Sequence, residues 1–76
     1  MPAQLARLTR SEWELVLNEA RFSQIDAQIV QGYILDGYAQ ADVGADLDRV
    51  RRTVHRRLNG KIYPRAVEVA AKLHII

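Results

Sequence analysis

"QADVGADLDRVRRTVHRRL", residues 40–58, is the stretch whose reading decides the fold. Counted from Gln40, apolar residues stand at the fourth, eighth and fifteenth places (Val43, Leu47, Val54) and a glycine, Gly44, at the fifth. Two short helices joined by a tight turn need that pattern. Apolar side chains hold the helices together, and a residue without Cβ lets their backbones approach. The spacing predicts one helix over 39–45 and a second over 49–58, with Asp48 as cap and Asn59-Gly60 as its end. On the second helix Val50, Val54 and Leu58 fall at i, i+4, i+8 and form an inward ridge. Arg49, Arg52 and Arg56 lie opposite, with Arg51, His55 and Arg57 on the flanks. The ninth to eleventh places hold Asp48, Arg49 and Val50 instead of the glycine, apolar residue and Ser or Thr usual in such a turn. A form in which residues 39–58 bend less sharply therefore stays open.

The flanking sequence reads as further helices. In "LTRSEW", Thr9 and Glu12 have the spacing of a capping box, and Leu8 with Trp13 that of a hydrophobic staple. Trp13, Val16, Leu17 and Ala20 share one face, which gives a helix over 10–20. Ser23 caps a second helix over 24–36, with Ile25, Ile29 and Tyr33 inward, and Gly37 stops it. Residues 1–7 read as a loose arm. The segment 64–76 fits a helix opened by Pro64 and equally fits a strand through Val67, Val69, Ala71 and Leu73; the helix is preferred. Trp13, Tyr33 and Tyr38 read as core residues. The expectation is one all-α domain over 1–76, a small helical bundle containing a helix-turn-helix, with 64–76 as a candidate dimerisation element.

Composition narrows the function. At 76 residues and 49% hydrophobic, the chain is near the lower limit for a single core, and a dimer would enlarge that core. No cysteine is present, which removes disulfides, thiolate metal sites and thiol catalysis. No apolar run approaches the roughly 20 residues of a membrane span, and no secretory signal is visible, so a cytoplasmic location is expected. The net charge of +2 conceals an asymmetry. Residues 1–48 carry three arginines against eight acids, a balance of −5; residues 49–76 carry eight basic side chains against Glu68, a balance of +7. An anionic partner for the C-terminal half follows.

A solvated helix face normally mixes signs, because like charges four apart destabilise a helix. Arg52 and Arg56 are such a pair, with no acid to relieve them. Arginine's flat fork of donors suits phosphate and the O6/N7 edge of guanine. Arg51, Arg52 and Arg56 are therefore the candidates for base edges of duplex DNA, and Arg49, Arg57, Lys61 and Arg65 for phosphates.

The features "LTRSEW", "ILDGYAQADVGADL" and "TVHRRL", spanning residues 8–58, resemble the TrfB/KorA family of small plasmid and phage repressors. The resemblance implies an all-helical domain that binds a palindromic operator as a homodimer and represses transcription. Carried over by position, it adds Thr53 and His55 to the base-contacting residues Arg51, Arg52 and Arg56, and gives Gln40 a phosphate. A second reading uses the same basic surface to bind and inhibit a host protein. Enzymatic function is not expected: no nucleophile or carboxylate lies within helical reach of His55, and His74 reads as a surface or interface residue. Ser11 and Ser23 read as first-turn and cap residues, and Asp42, Asp46 and Asp48 lack the glycine and terminal glutamate of a calcium loop. No metal or cofactor is expected.

Overall fold

The computed structural model describes residues 1–47 and 49–76. The expected cap, Asp48, lies outside the described residues. Helices α1 (Ala3–Ala6), α2 (Arg10–Ala20), α3 (Gln24–Ile29), α4 (Gln40–Asp46), α5 (Arg51–Arg57) and α6 (Tyr63–Lys72) follow in order, and no strand occurs among the described residues. The fold is thus the expected all-α bundle, and the tail is helical rather than extended.

Local chemistry sets the helix starts. Thr9 Oγ1 accepts from the Glu12 N–H at 3.2 Å, and Glu12 Oε1 accepts from the Thr9 N–H at 2.8 Å. This closes the capping box and satisfies two backbone donors at the start of α2. Trp13, Val16 and Ala20 are buried along its inner face. Ser23 Oγ accepts from the Asp26 N–H at 3.2 Å and caps α3. Beyond Ile29 the helix widens into a π-helical segment, Val30–Leu35. There the Asp36 N–H reaches the Gln31 carbonyl at 2.9 Å, and Gln31 Nε2 donates to Asp36 Oδ1 at 3.1 Å. Gly37, at φ 76°, ends it in a conformation L side chains rarely adopt.

Four expectations change. Residues 1–7 are not a loose arm: Ala3–Ala6 make a helical turn, and Leu5 is 0% exposed in the core. One buried leucine suffices to hold that turn down. Tyr38 is exposed rather than core. The fourth predicted helix begins at Arg51, two residues late, because Val50 is extended (φ −89°, ψ 154°) and lies outside the helix. Val50 is 66% exposed and does not join the inward ridge.

Finally, Asn59-Gly60 does not end the helix. α5 passes through a second π-helical segment, Leu58–Ile62, directly into α6. Pro64 explains the widening: it has no N–H for the carbonyl four residues back, and its ring crowds that position. A wider turn relieves the conflict, and the Tyr63 N–H instead bonds the Leu58 carbonyl, five residues back. The result is one rod whose ridge Val54, Leu58, Ile62, Ala66, Ala70 is 0% exposed at every position. A four-residue ridge drifts about 40° per step on an α-helix. The π segment, with more than four residues per turn, turns the ridge back at Leu58–Ile62, so five side chains share one core.

The turn between α4 and α5 depends on Gly44. The Arg49 N–H donates to its carbonyl at 2.6 Å, and a Cβ on Gly44 would stand 2.9 Å from the Arg49 carbonyl oxygen. Gly44→Ala is expected to destabilise the fold by about 1–3 kcal/mol in urea denaturation, because the obstacle is backbone. Gly60→Ala, with nothing within 4 Å of the added carbon, is expected to stabilise by about 0.5–1 kcal/mol. Burial, with a smaller contribution from Tyr33, raises the Tyr63 phenol above its ordinary value of 10.0. The folded state holds this proton longer than the unfolded chain, so that stability is full below pH 10.0 and is lost as pH climbs through the folded value. Tyr63→Phe should flatten that alkaline limb.

Candidate nucleic-acid interface

α5 is held from three directions. Its ridge is buried, α4 packs on it across the Gly44 turn, and a strut ties it to α3. The strut is Arg57 Nε to Asp26 Oδ1 at 2.5 Å, with the Asp26 side chain 7% and the Arg57 side chain 30% exposed. The hydrogen bond that Arg57 donates to Asp26, opposed by burial and aided by the aspartate's charge, raises the guanidinium above its ordinary value. Arg57 is therefore committed within the fold and is not an open phosphate ligand as expected. Its partner is 31 residues away in sequence, and Asp26 carries the local signature of a first-turn acid, so no sequence signal joins them.

Arg65 is likewise withdrawn from phosphate duty. Its Nε donates to the Ala20 carbonyl at 3.1 Å and its Nη1 to Glu68 Oε1 at 2.6 Å. A cation there complements the carbonyl end of α2. Arg10 does the same for the other helix pair, with Nη1 donating to the Leu35 carbonyl at 2.7 Å. Thr53 is half-buried on the flank of α5 and lies outside its exposed arc. Gln40, at the start of α4, is half-buried with Oε1 turned inward and without a hydrogen-bond partner among the described residues.

The other expected residues come together. Taking 100° per residue, Arg51, His55, Arg52 and Arg56 span an arc of about 140° opposite the ridge, and all four are exposed. Arg51, Arg52 and His55 line one open groove of about 400 Å³. Arg51, Arg52, Arg56 and the exposed Lys61 have no side-chain partner among the described residues. Arg49 is exposed in the turn beside them. Asp46, near the end of α4, lines a different groove, with Gln28, Gln31 and Asp36. Among the described residues the arc is thus cationic without a paired acid.

Asn59, which the sequence marks only as part of the helix stop, instead contacts His55. Its Nδ2 lies 3.0 Å from the His55 carbonyl and 3.2 Å from His55 Nε2. The legible signal was the four-residue spacing, which places both side chains on one helix face.

Replacing Arg57 by Met is expected to cost about 2–3 kcal/mol in urea denaturation, because the Asp26 carboxylate is left buried and unpaired. Asp26→Leu in the same chain should restore part of the loss. A coupling energy near zero in the double-mutant cycle would show that the strut does not act.

No helix among the described residues is long and apolar enough to cross a membrane. Compared with known proteins, the chain matches no family model, no curated protein and no solved structure.

Proposed function

We propose that this chain is a sequence-specific duplex-DNA-binding regulator that places α5 in the major groove. The observation that carries this reading is the exposed arc Arg51, Arg52, His55, Arg56, without a paired acid among the described residues, on a helix whose opposite face is anchored in the core. Like charges at Arg52 and Arg56 disfavour the helix unless an anion relieves them. An α-helix with its side chains is about 10–12 Å across, and a major groove about 12 Å wide admits it. Arg51, Arg52 and Arg56 read base edges, and His55 sits among them. Arg49 and Lys61, at either end of α5, approach the phosphates. The TrfB/KorA resemblance extends the reading to a cytoplasmic repressor of a plasmid or phage operon, bound as a homodimer to a palindromic operator.

Titration of the full chain with duplex DNA at increasing salt tests this. With some five phosphates neutralised, log affinity should fall against log salt with a slope of about −4 to −5. Arg51→Ala, Arg52→Ala and Arg56→Ala should each weaken specific binding about tenfold or more, whereas Lys72→Ala, on the last turn of α6, should not. Failure to retain any duplex at low salt would sink the proposal. Joint loss of an acidic host protein from the arginine variants would then favour the protein-inhibitor reading of the same surface.

A further inference from the structure

The chemistry offered by the α5 arc is narrower than its charge suggests. Arg51, Arg52 and Arg56 carry only donors. His55 is the one group on the arc able to present either a donor or an acceptor, and Asn59 decides between them. The carbonyl of His55 is an acceptor, so the Asn59 atom facing it at 3.0 Å is the amide nitrogen and not the oxygen. That same nitrogen lies 3.2 Å from His55 Nε2. An amide N–H donates, so Nε2 accepts, and the ring proton of the neutral imidazole resides on Nδ1. His55 is exposed, and the ring nitrogen left to it carries the N–H. The two contacts also account for both hydrogens of the Asn59 amide, so Asn59 no longer has the paired donor and acceptor that adenine's N6/N7 edge takes.

We infer that α5 is a donor-only reading surface and that its half-sites are rich in guanine on the strand it faces. This rests on the reading of α5 as the DNA-facing helix. In the major groove guanine alone presents two acceptors, O6 and N7, side by side. Adenine and cytosine each put an amino group forward, against which an arginine or an N–H ring edge has nothing to accept. The arc also lacks a carboxylate, the group that accepts from cytosine N4. Asn59 is a positioning residue in this scheme: it acts on base choice through His55.

The test uses duplexes that the full chain selects from a random pool. Selected sites should hold guanines at two or more positions per half-site. Replacing one such guanine by 7-deazaguanine, which removes the N7 acceptor, should lower affinity about tenfold. Inosine, which keeps O6 and N7 and loses only the minor-groove amino group, should be tolerated. In the free protein, ¹⁵N NMR of the neutral His55 ring should show the proton on Nδ1. Asn59→Ala should relax selection at one position while the arginine-read guanines persist. Selection of A·T-only cores, indifference to 7-deazaguanine, or a proton on Nε2 would each overturn the inference while DNA binding stood. No retained duplex at all would remove the functional reading and this inference with it.

Discussion

The structure depends on burying one ridge: Val54, Leu58, Ile62, Ala66 and Ala70, all 0% exposed. Their shared face makes α5 and α6 a single rod. Trp13 and Val16 of α2, Ile29 of α3, Val30 of the π-helical segment after it, Leu5 of α1 and Val43 of α4 complete the core that encloses it. Two local signals oppose continuity, Gly60 and Pro64, and each disfavours a helix interior. They yield because the penalty is met locally by a π-helical turn, whereas breaking the rod would expose several apolar side chains worth about 1.5–3 kcal/mol each. The widened turn serves twice. It accommodates the proline and returns the drifting ridge to the core.

Anchoring α5 this way separates six arginines of the chain into two kinds. Arg10 and Arg65 satisfy helix C-termini, and Arg57 pairs with a buried aspartate. These positive charges are spent on groups that would otherwise lack partners inside a chain of 76 residues. Arg51, Arg52 and Arg56 do none of this. The core that fixes α5 also fixes which side of it faces water, so the outward arc is a consequence of the ridge, sharpened by the strut to Asp26. On the proposed reading, little conformational entropy remains to be lost by the backbone of α5 on binding, and what is ordered is the arginine side chains.

How much of this the sequence discloses follows from the range of each interaction. The capping box at Thr9, the cap at Ser23 and the stop at Gly37 involve residues within a turn of one another, and they stand in the structure as read. The inner residues Val43 and Val54, and the need for glycine at 44, were legible because helical period and backbone contact act over a few residues. The continuation through Gly60 and Pro64 was not, since tertiary burial overrode two local breakers. Val50 was misplaced on the ridge because the turn uses one more extended residue than the helical count allows. The roles of Arg57 and Arg65 were hidden for a different reason. Their partners lie 31 and 45 residues away, and an arginine looks the same in sequence whether it faces a phosphate or a carbonyl. What was legible at the candidate site was the group Arg51, Arg52, His55 and Arg56; what was not was which neighbours had prior commitments.

The charge asymmetry read from sequence acquires a direction in space. α2, which carries Glu12, Glu14 and Glu19, packs against α6, while the arginine arc belongs to α5 at the other end of the rod. The molecule is 35 Å long, several times the Debye length of about 8 Å at physiological salt. At that salt the acidic end is screened from an anion meeting the basic end and does not cancel its attraction. Near 10 mM salt the Debye length grows to about 30 Å, and the glutamates of α2 then weaken the approach of an anion to that side of the molecule. On the proposed reading, the glutamates of α2 bias the encounter orientation, while the affinity resides in Arg51, Arg52 and Arg56, which have no side-chain partner among the described residues.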